Sequence, residues 1–100
     1  MKIYIVGSVS SGKSTLAKRL SKTLKIPYQP LDEFVHISDK STPSGNRKRQ
    51  VEERDNLFYS LIKQKEWIIE DIGRSCFEDG LKESDKIILL EISKKKGIIE

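Results

Sequence analysis

Cysteine and long apolar runs are nearly absent from this chain. Cys76 is the single cysteine among 100 residues, which excludes an internal disulfide and suits the reducing cytosol. No apolar run approaches the ~20 residues that cross a bilayer; the run Ile87–Leu90, for example, has only four residues. The apolar residues that follow Lys2 are too few for a signal peptide and lead directly into a glycine-containing loop. The sequence therefore predicts a cytoplasmic protein with no membrane partner.

Histidine is equally scarce. His36 is the one histidine, and neither it nor Cys76 has a partner at the spacing of metal ligands. We therefore expect both side chains to be structural.

Basic residues, by contrast, are abundant, and the net charge is +4. They concentrate in the stretch after residue 13, in Arg47–Arg49 and in Lys94–Lys96. Such clusters are typical of a protein with an anionic partner, such as nucleotide phosphates or nucleic acid. They are equally typical of a solvated surface, and the sequence leaves these alternatives open.

Apolar patterning predicts strands that alternate with helices. Lys2–Val6 is a short run typical of a strand buried on both faces. Leu16, Leu20 and Leu24 form one helical stripe, and Pro27 ends that helix. The predicted elements are strands at 2–6, 28–31, 67–70 and 86–92, helices at 13–25, 48–65 and 77–83, and a loop at 38–46. This alternation predicts one α/β domain over residues 1–100 with a parallel sheet. Residues 33–66 are more than a simple crossover needs, and we expect them to form a flap on the acceptor side.

One motif carries chemistry. The segment from Gly7 to Ser14 matches G-x-x-x-x-G-K-[ST] at every fixed position, after a predicted strand and before a predicted helix. Its glycines let the backbone N–H groups turn inward around an anion, and the helix dipole points at the same place. The predicted phosphate-binding residues are Gly7, Ser8, Val9, Ser10, Ser11, Gly12, Lys13, Ser14 and Thr15.

Within this loop we expect Lys13 to reach the β- and γ-phosphates, Ser14 to ligate Mg²⁺ and Thr15 to contact the α-phosphate. The motif therefore predicts a P-loop NTPase fold that binds a nucleoside triphosphate, ATP, with Mg²⁺.

The chain resembles the P-loop nucleoside and nucleotide kinases, and most closely the adenylate-kinase-like DNA topology modulation proteins. The resemblance rests on the P-loop with its continuation Leu16–Ser21, Ile26-Pro27 with Leu31-Asp32, Trp67–Glu70 and Asp85–Leu90. It implies a three-layer α/β/α fold whose four predicted strands lie in the order second, third, first, fourth.

The resemblance also implies roles for individual residues. Asp32 would face the acceptor or a metal-bound water, and Arg74 would contact a phosphate or the acceptor. Either Glu70 or Asp71 would be the carboxylate near Mg²⁺. The residues alone also allow simpler structural roles: Asp32 could cap a helix, the two adjacent carboxylates could end a strand, and Arg74 could form a surface ion pair. We expect Trp67 to belong to the core.

Members of this group continue past the fourth strand into an arginine-bearing lid and a fifth strand, and this sequence contains neither. The resemblance thus implies a C-terminally truncated member. The fourth strand would then be an unpaired apolar edge that templates a homodimer. The alternative is a tail from residue 94 that folds back over this edge.

Three functions follow. The first is Mg²⁺-dependent phosphoryl transfer from ATP to a small-molecule or nucleotide acceptor, with Lys13, Asp32 and Arg74 as the catalytic residues. The second is a nucleotide-binding module without useful turnover, since the lid is missing. The third is a nucleic-acid-associated protein, which no recognition helix or aromatic RNA-binding motif supports.

Overall fold

The structure is a computed structural model that describes residues 1–8 and 10–90. Val9 of the predicted phosphate loop lies outside the described residues. So do the last two residues of the predicted fourth strand and the Lys94–Lys96 cluster, together with the tail proposed to fold back.

A four-stranded parallel sheet forms the centre of the described chain. Its strands are β1 (Lys2–Gly7), β2 (Tyr28–Pro30), β5 (Trp67–Asp71) and β6 (Lys86–Leu90). They lie in the order β2-β5-β1-β6, which confirms the predicted order second, third, first, fourth. β5 is buried along its whole length, as expected for an inner strand of a covered parallel sheet.

One face of the sheet is covered by α1 (Lys13–Leu24). Ala17 lies within a buried cluster that also contains Ile3, Ile5, Ile26 and Ile68. The helix ends at Leu24 because Lys25 takes a left-handed conformation, with φ of 59°, and Pro27 follows two residues later.

The opposite face is covered by α3 (Val51–Ile62), a 3₁₀ turn (Ser75–Phe77) and α4 (Asp79–Glu83). Here Phe58 and Phe77 pack with their ring centroids 4.8 Å apart. Trp67 is fully buried in the same cluster, and its indole N–H donates to the carbonyl of Ile62 at 3.3 Å. This confirms Trp67 as a core residue and the three-layer α/β/α arrangement.

Between β2 and α3, the predicted flap contains structure that the sequence did not predict. A short helix α2 (Asp32–Val35) leads into an antiparallel hairpin of β3 (His36–Ser38) and β4 (Asn46–Lys48). We expected a loop over 38–46, but its two ends belong to the hairpin. The strands have three residues each, and β4 is polar and exposed throughout, so no apolar alternation marks them.

Several boundaries also differ. β2 ends at Pro30 because Leu31 adopts helical angles and caps α2, and α3 is confined to Val51–Ile62 rather than 48–65. Within the described ranges, 1–8 and 10–90, the helices lack the length and apolar character needed to cross a membrane.

Candidate functional site

The loop between β1 and α1 has the backbone geometry of an anion cradle. Gly12 takes a left-handed φ of 87°, and Ser10 also has a positive φ, of 68°. At Gly7, a Cβ would lie 2.5 Å from Oγ of Ser11 and 3.0 Å from the carbonyl oxygen of Leu90. Each glycine of the motif is therefore required, Gly12 by its backbone angle and Gly7 by the space around it.

Ser11 supports the assignment of this loop to ligand binding. Its Oγ is buried, and it has no hydrogen-bond partner among residues 1–8 and 10–90. A buried hydroxyl without a partner is uncommon in folded proteins and calls for an explanation such as a missing ligand.

Lys13 and Ser14 begin α1 and meet the carboxylate of Glu70. The Ser14 hydroxyl donates to Oε2 of Glu70 at 2.9 Å. The Lys13 ammonium lies 3.9 Å from Oε1 of the same residue and donates to the carbonyl oxygen of Ser8 at 3.4 Å. Thus the lysine predicted to bind phosphate, the hydroxyl predicted to ligate the metal and one of the two candidate carboxylates lie at the carboxyl end of the parallel strands.

Tyr28 also belongs to this group, and the sequence analysis missed it. Its hydroxyl donates to Oε2 of Glu70 at 2.5 Å. Burial, followed by the hydrogen bond to Glu70, raises the pKa of Tyr28 to about 12. The phenol therefore remains a protonated donor at neutral pH. In the sequence, Tyr28 looks like an ordinary strand residue, and only the neighbouring strand reveals its contact.

Asp71 faces away from Ser14 and organises the turn after β5. Its Oδ2 accepts from the backbone N–H groups of Gly73 at 3.0 Å and Arg74 at 2.6 Å. Its Oδ1 is paired with the guanidinium of Arg74. Asp71 is buried, and both of its carboxylate oxygens are bonded within this turn.

Arg74 joins this turn to the end of β2. Its Nη2 donates to Oδ1 of Asp32 at 2.9 Å. Burial opposes the charge of Arg74, but the carboxylates of Asp71 and Asp32 outweigh it and raise the pKa of Arg74. Asp32 is the first residue of α2 rather than its N-cap, which is Leu31.

A cleft of about 370 Å³ unites these side chains. It is lined by Lys13, Ser14, Pro30, Asp32, Glu33, Glu70, Asp71, Ile72 and Arg74. Four carboxylates thus face two cationic groups, although the chain as a whole carries a net charge of +4. The structure brings together the predicted residues Lys13, Ser14, Asp32, Glu70, Asp71 and Arg74, and Thr15 is exposed in the first turn of α1.

The oxygen ligands in this cleft suit a hard divalent cation that is bound mainly through the phosphates of a nucleotide. Ser14 and Glu70 offer oxygen ligands, which Mg²⁺ prefers, and Mg²⁺ sites often use only one or two protein ligands plus substrate phosphates. Among the described residues, no cluster of three or more His, Cys, Asp or Glu could hold a metal by itself. The residues fit Mg²⁺ held jointly with phosphates.

Comparison with known proteins gives several kinase relatives. No family model matches the chain. It is 34% identical over 74 residues to the bifunctional shikimate kinase/3-dehydroquinate synthase of Thermotoga maritima, covering 74% of this chain and 14% of that protein. It is 27% identical over 103 aligned positions to the shikimate kinase of Francisella tularensis subsp. novicida, covering 89% of this chain and 56% of that enzyme.

Solved structures show the same fold. The shikimate kinase of Aquifex aeolicus superposes with a TM-score of 0.63 at 18% identity, covering 96% of this chain and 62% of that one. A gluconokinase of Sinorhizobium meliloti superposes with a TM-score of 0.58 at 15% identity, covering 95% of this chain and 59% of that one. The fold is therefore that of the P-loop kinases, and the chain spans less than two thirds of the length of these relatives. The closer resemblance to DNA topology modulation proteins stays a prediction.

Proposed function

We propose that this chain binds ATP with Mg²⁺ and transfers the γ-phosphoryl group to a hydroxyl of a small-molecule acceptor. The observation that carries the proposal is the hydrogen bond of Ser14 with Glu70 across 56 residues of sequence, together with the ion pair of Lys13 with the same carboxylate. It joins a phosphate loop to a carboxylate at the edge where open α/β sheets bind ligands.

The phosphates would lie in the cradle between Gly7 and Lys13. Ser8, Ser10 and Ser11 contribute to its wall, and the predicted contact of Val9 stays a prediction. Lys13 donates to the carbonyl of Ser8 at the wall of this cradle, and its ammonium would contact the β- and γ-phosphates. Thr15 would contact the α-phosphate. A fixed lysine and helix N-terminus stabilise the charge that develops on the transferred group.

Mg²⁺ would bind beside Ser14, on the side of Glu70. Bound there, it neutralises phosphate charge. Because the Ser14 hydroxyl donates its hydrogen bond to Glu70, its lone pairs remain free to face a cation. Asp71 would act through the turn that holds Arg74 rather than as a metal ligand, because its oxygens already accept from that turn.

The acceptor would occupy the remaining part of the cleft, beside the ion pair of Asp32 and Arg74. Asp32 is exposed and would orient or deprotonate a hydroxyl, while Arg74 would pair with an acidic group of the acceptor or with the γ-phosphate. The names of the relatives, shikimate kinase and gluconokinase, favour a small hydroxy acid over a nucleotide as the acceptor. The modest volume of the cleft, about 370 Å³, agrees with a small molecule.

Two experiments test this function. Millimolar ATP with Mg²⁺ should raise the melting temperature, because a ligand that binds only the folded state stabilises it. An unmoved melting curve with ATP, GTP and pyrophosphate would refute nucleotide binding. A coupled assay against shikimate, gluconate and nucleoside monophosphates then tests transfer, and Asp32→Asn should reduce turnover while sparing ATP binding.

The other predicted functions correspond to distinct results of these assays. Binding of ATP without turnover on any acceptor would favour a nucleotide-binding module. Salt-sensitive binding of DNA, with no response to nucleotides, would favour a nucleic-acid-associated protein.

A further inference from the structure

Tyr28 is placed to control the carboxylate of Glu70. The two side chains lie on neighbouring parallel strands, where Tyr28 pairs with Ile68 and Pro30 pairs with Glu70. Paired residues in a sheet, and residues two apart in one strand, project from the same face. Tyr28 and Glu70 therefore share the face covered by α1, and the long phenol reaches diagonally to the carboxylate.

The ring of Tyr28 is held by packing. It lies against the buried cluster formed by Ile3, Ile5, Ala17, Ile26 and Ile68. Although Tyr28 is only partly buried, this packing favours one direction of the ring and therefore of its hydroxyl.

Glu70 needs such a partner because it is buried, with 5% of its surface exposed. Its Oε2 accepts from both Tyr28 and Ser14, whereas among residues 1–8 and 10–90 the partner of Oε1 is the more distant Lys13 ammonium. Two donors on one oxygen fix the rotation of the carboxylate. Without the phenol, the single hydrogen bond from Ser14 would leave the carboxylate free to turn toward Lys13.

We propose that Tyr28 is a positioning residue for the Mg²⁺ site: its hydroxyl holds Glu70 in the orientation that accepts the hydrogen bond from Ser14. Ser14 thereby keeps its lone pairs directed at the cation. Tyr28 itself contacts neither nucleotide nor metal in this role. The inference rests on the proposed binding of ATP with Mg²⁺ and adds a residue that the phosphate-loop motif does not contain.

The test compares the affinity for ATP with excess Mg²⁺ and with EDTA, by calorimetry on the whole chain. Tyr28→Phe removes the hydroxyl and keeps the ring. We expect the variant to bind ATP in EDTA as tightly as the wild type does. The factor by which Mg²⁺ increases the affinity for ATP should be roughly tenfold smaller in the variant, since losing a partner of a metal ligand typically costs 10–100-fold in metal affinity. A merely structural role would instead weaken both affinities and lower the melting temperature.

Tyr59→Phe is the matched control. The Tyr59 hydroxyl also donates to a carboxylate, Oδ2 of Asp79 at 2.7 Å, but it lies outside the cleft. This variant should keep the full gain from Mg²⁺. Circular dichroism verifies that each variant is folded at the temperature of the titration.

A double-mutant cycle with Glu70→Gln tests whether Tyr28 acts through Glu70. Glu70→Gln alone should lose the increase in ATP affinity that Mg²⁺ produces. Adding Tyr28→Phe to this variant should then change the ATP affinity in Mg²⁺ by less than about twofold. If the two substitutions reduce the ATP affinity in Mg²⁺ additively, the proposal is wrong. It is also wrong if Mg²⁺ increases the ATP affinity of Tyr28→Phe as much as it does that of the wild type. A wild type that binds no ATP in either condition refutes the proposed function and this role with it.

Discussion

Glu70 and Asp71 are adjacent in the chain, but their carboxylates serve opposite faces of the sheet. Glu70 meets Ser14 and Tyr28 on the face of α1, whereas Asp71 meets Gly73 and Arg74. Successive side chains of a strand alternate between faces. One carboxylate is thereby assigned to the phosphate loop, and its neighbour is assigned to the turn that carries Arg74.

Lys13→Ala should weaken ATP binding on the order of tenfold or more, because a charge-assisted contact to phosphate is lost. Its side chain contacts Ser8 and Glu70 rather than the core, so the fold should persist. Calorimetry measures the change. Lys18→Ala is the control, since Lys18 lies exposed on the same helix. Equal affinities for wild type and Lys13→Ala would contradict the assignment of the loop.

Asp71→Ala should lower the free energy of unfolding by about 3 kcal/mol. The substitution leaves two backbone N–H groups without their acceptor and deprives Arg74 of a buried partner. Urea denaturation measures the loss. Asp55→Ala is the comparison, because Asp55 pairs with its chain neighbour Arg54 at a partly exposed site and should cost less than about 0.5 kcal/mol. Similar losses for the two variants would exclude an organising role for Asp71.

Tyr4 should make the protein less stable at alkaline pH. Burial, and then the charge of Asp71, raise the pKa of Tyr4 above the ordinary value of 10.0. The folded state thus holds this proton more tightly than the unfolded state does. The resulting stabilisation is complete below the unfolded pKa and is lost as the pH rises beyond it.

Urea midpoints measured between about pH 9 and pH 11 test this dependence on Tyr4. Tyr4→Phe should show a smaller fall across that range than the wild type, because the variant has no phenol to ionise. The lysines that titrate in the same range are common to both proteins and cancel in the comparison. If the urea midpoints of the two proteins fall equally with rising pH, Tyr4 does not cause the loss of stability at alkaline pH.

Pairing of two copies through β6 stays a prediction. Within residues 1–8 and 10–90, β6 has a neighbouring strand on one side only. Ile88 and Leu90 pack toward α1, but Ile87 and Leu89 are 55% and 67% exposed. We expect a homodimer by light scattering after size exclusion, and Leu89→Lys should shift it toward the monomer. A monomer mass for the wild type at high concentration and moderate salt would refute the dimer.

Much of the fold could be predicted because its signals are local. The segments at 2–6 and 67–70 are continuous apolar runs, as expected for inner strands covered on both faces. The segment at 86–90 has the same apolar character, although β6 is an edge strand of the described sheet. The order of the strands came from resemblance rather than from pattern. The β3–β4 hairpin was missed because strands of three residues are too short to show a period, and β4 has no apolar residue. The antiparallel contact that defines them lies between segments eight residues apart.

The sequence by itself determined the geometry of the predicted phosphate loop, since the positions of Gly7, Gly12, Lys13 and Ser14 depend on local backbone angles and on the start of one helix. It could not decide between Glu70 and Asp71, and it gave no signal for Tyr28. Those assignments depend on which face of β5 each side chain occupies and on what lies across that face. Only the packing of β2 and α1 against β5 brings Tyr28, Ser14 and Glu70 within hydrogen-bond distance, because the contacts span 42 and 56 residues of chain.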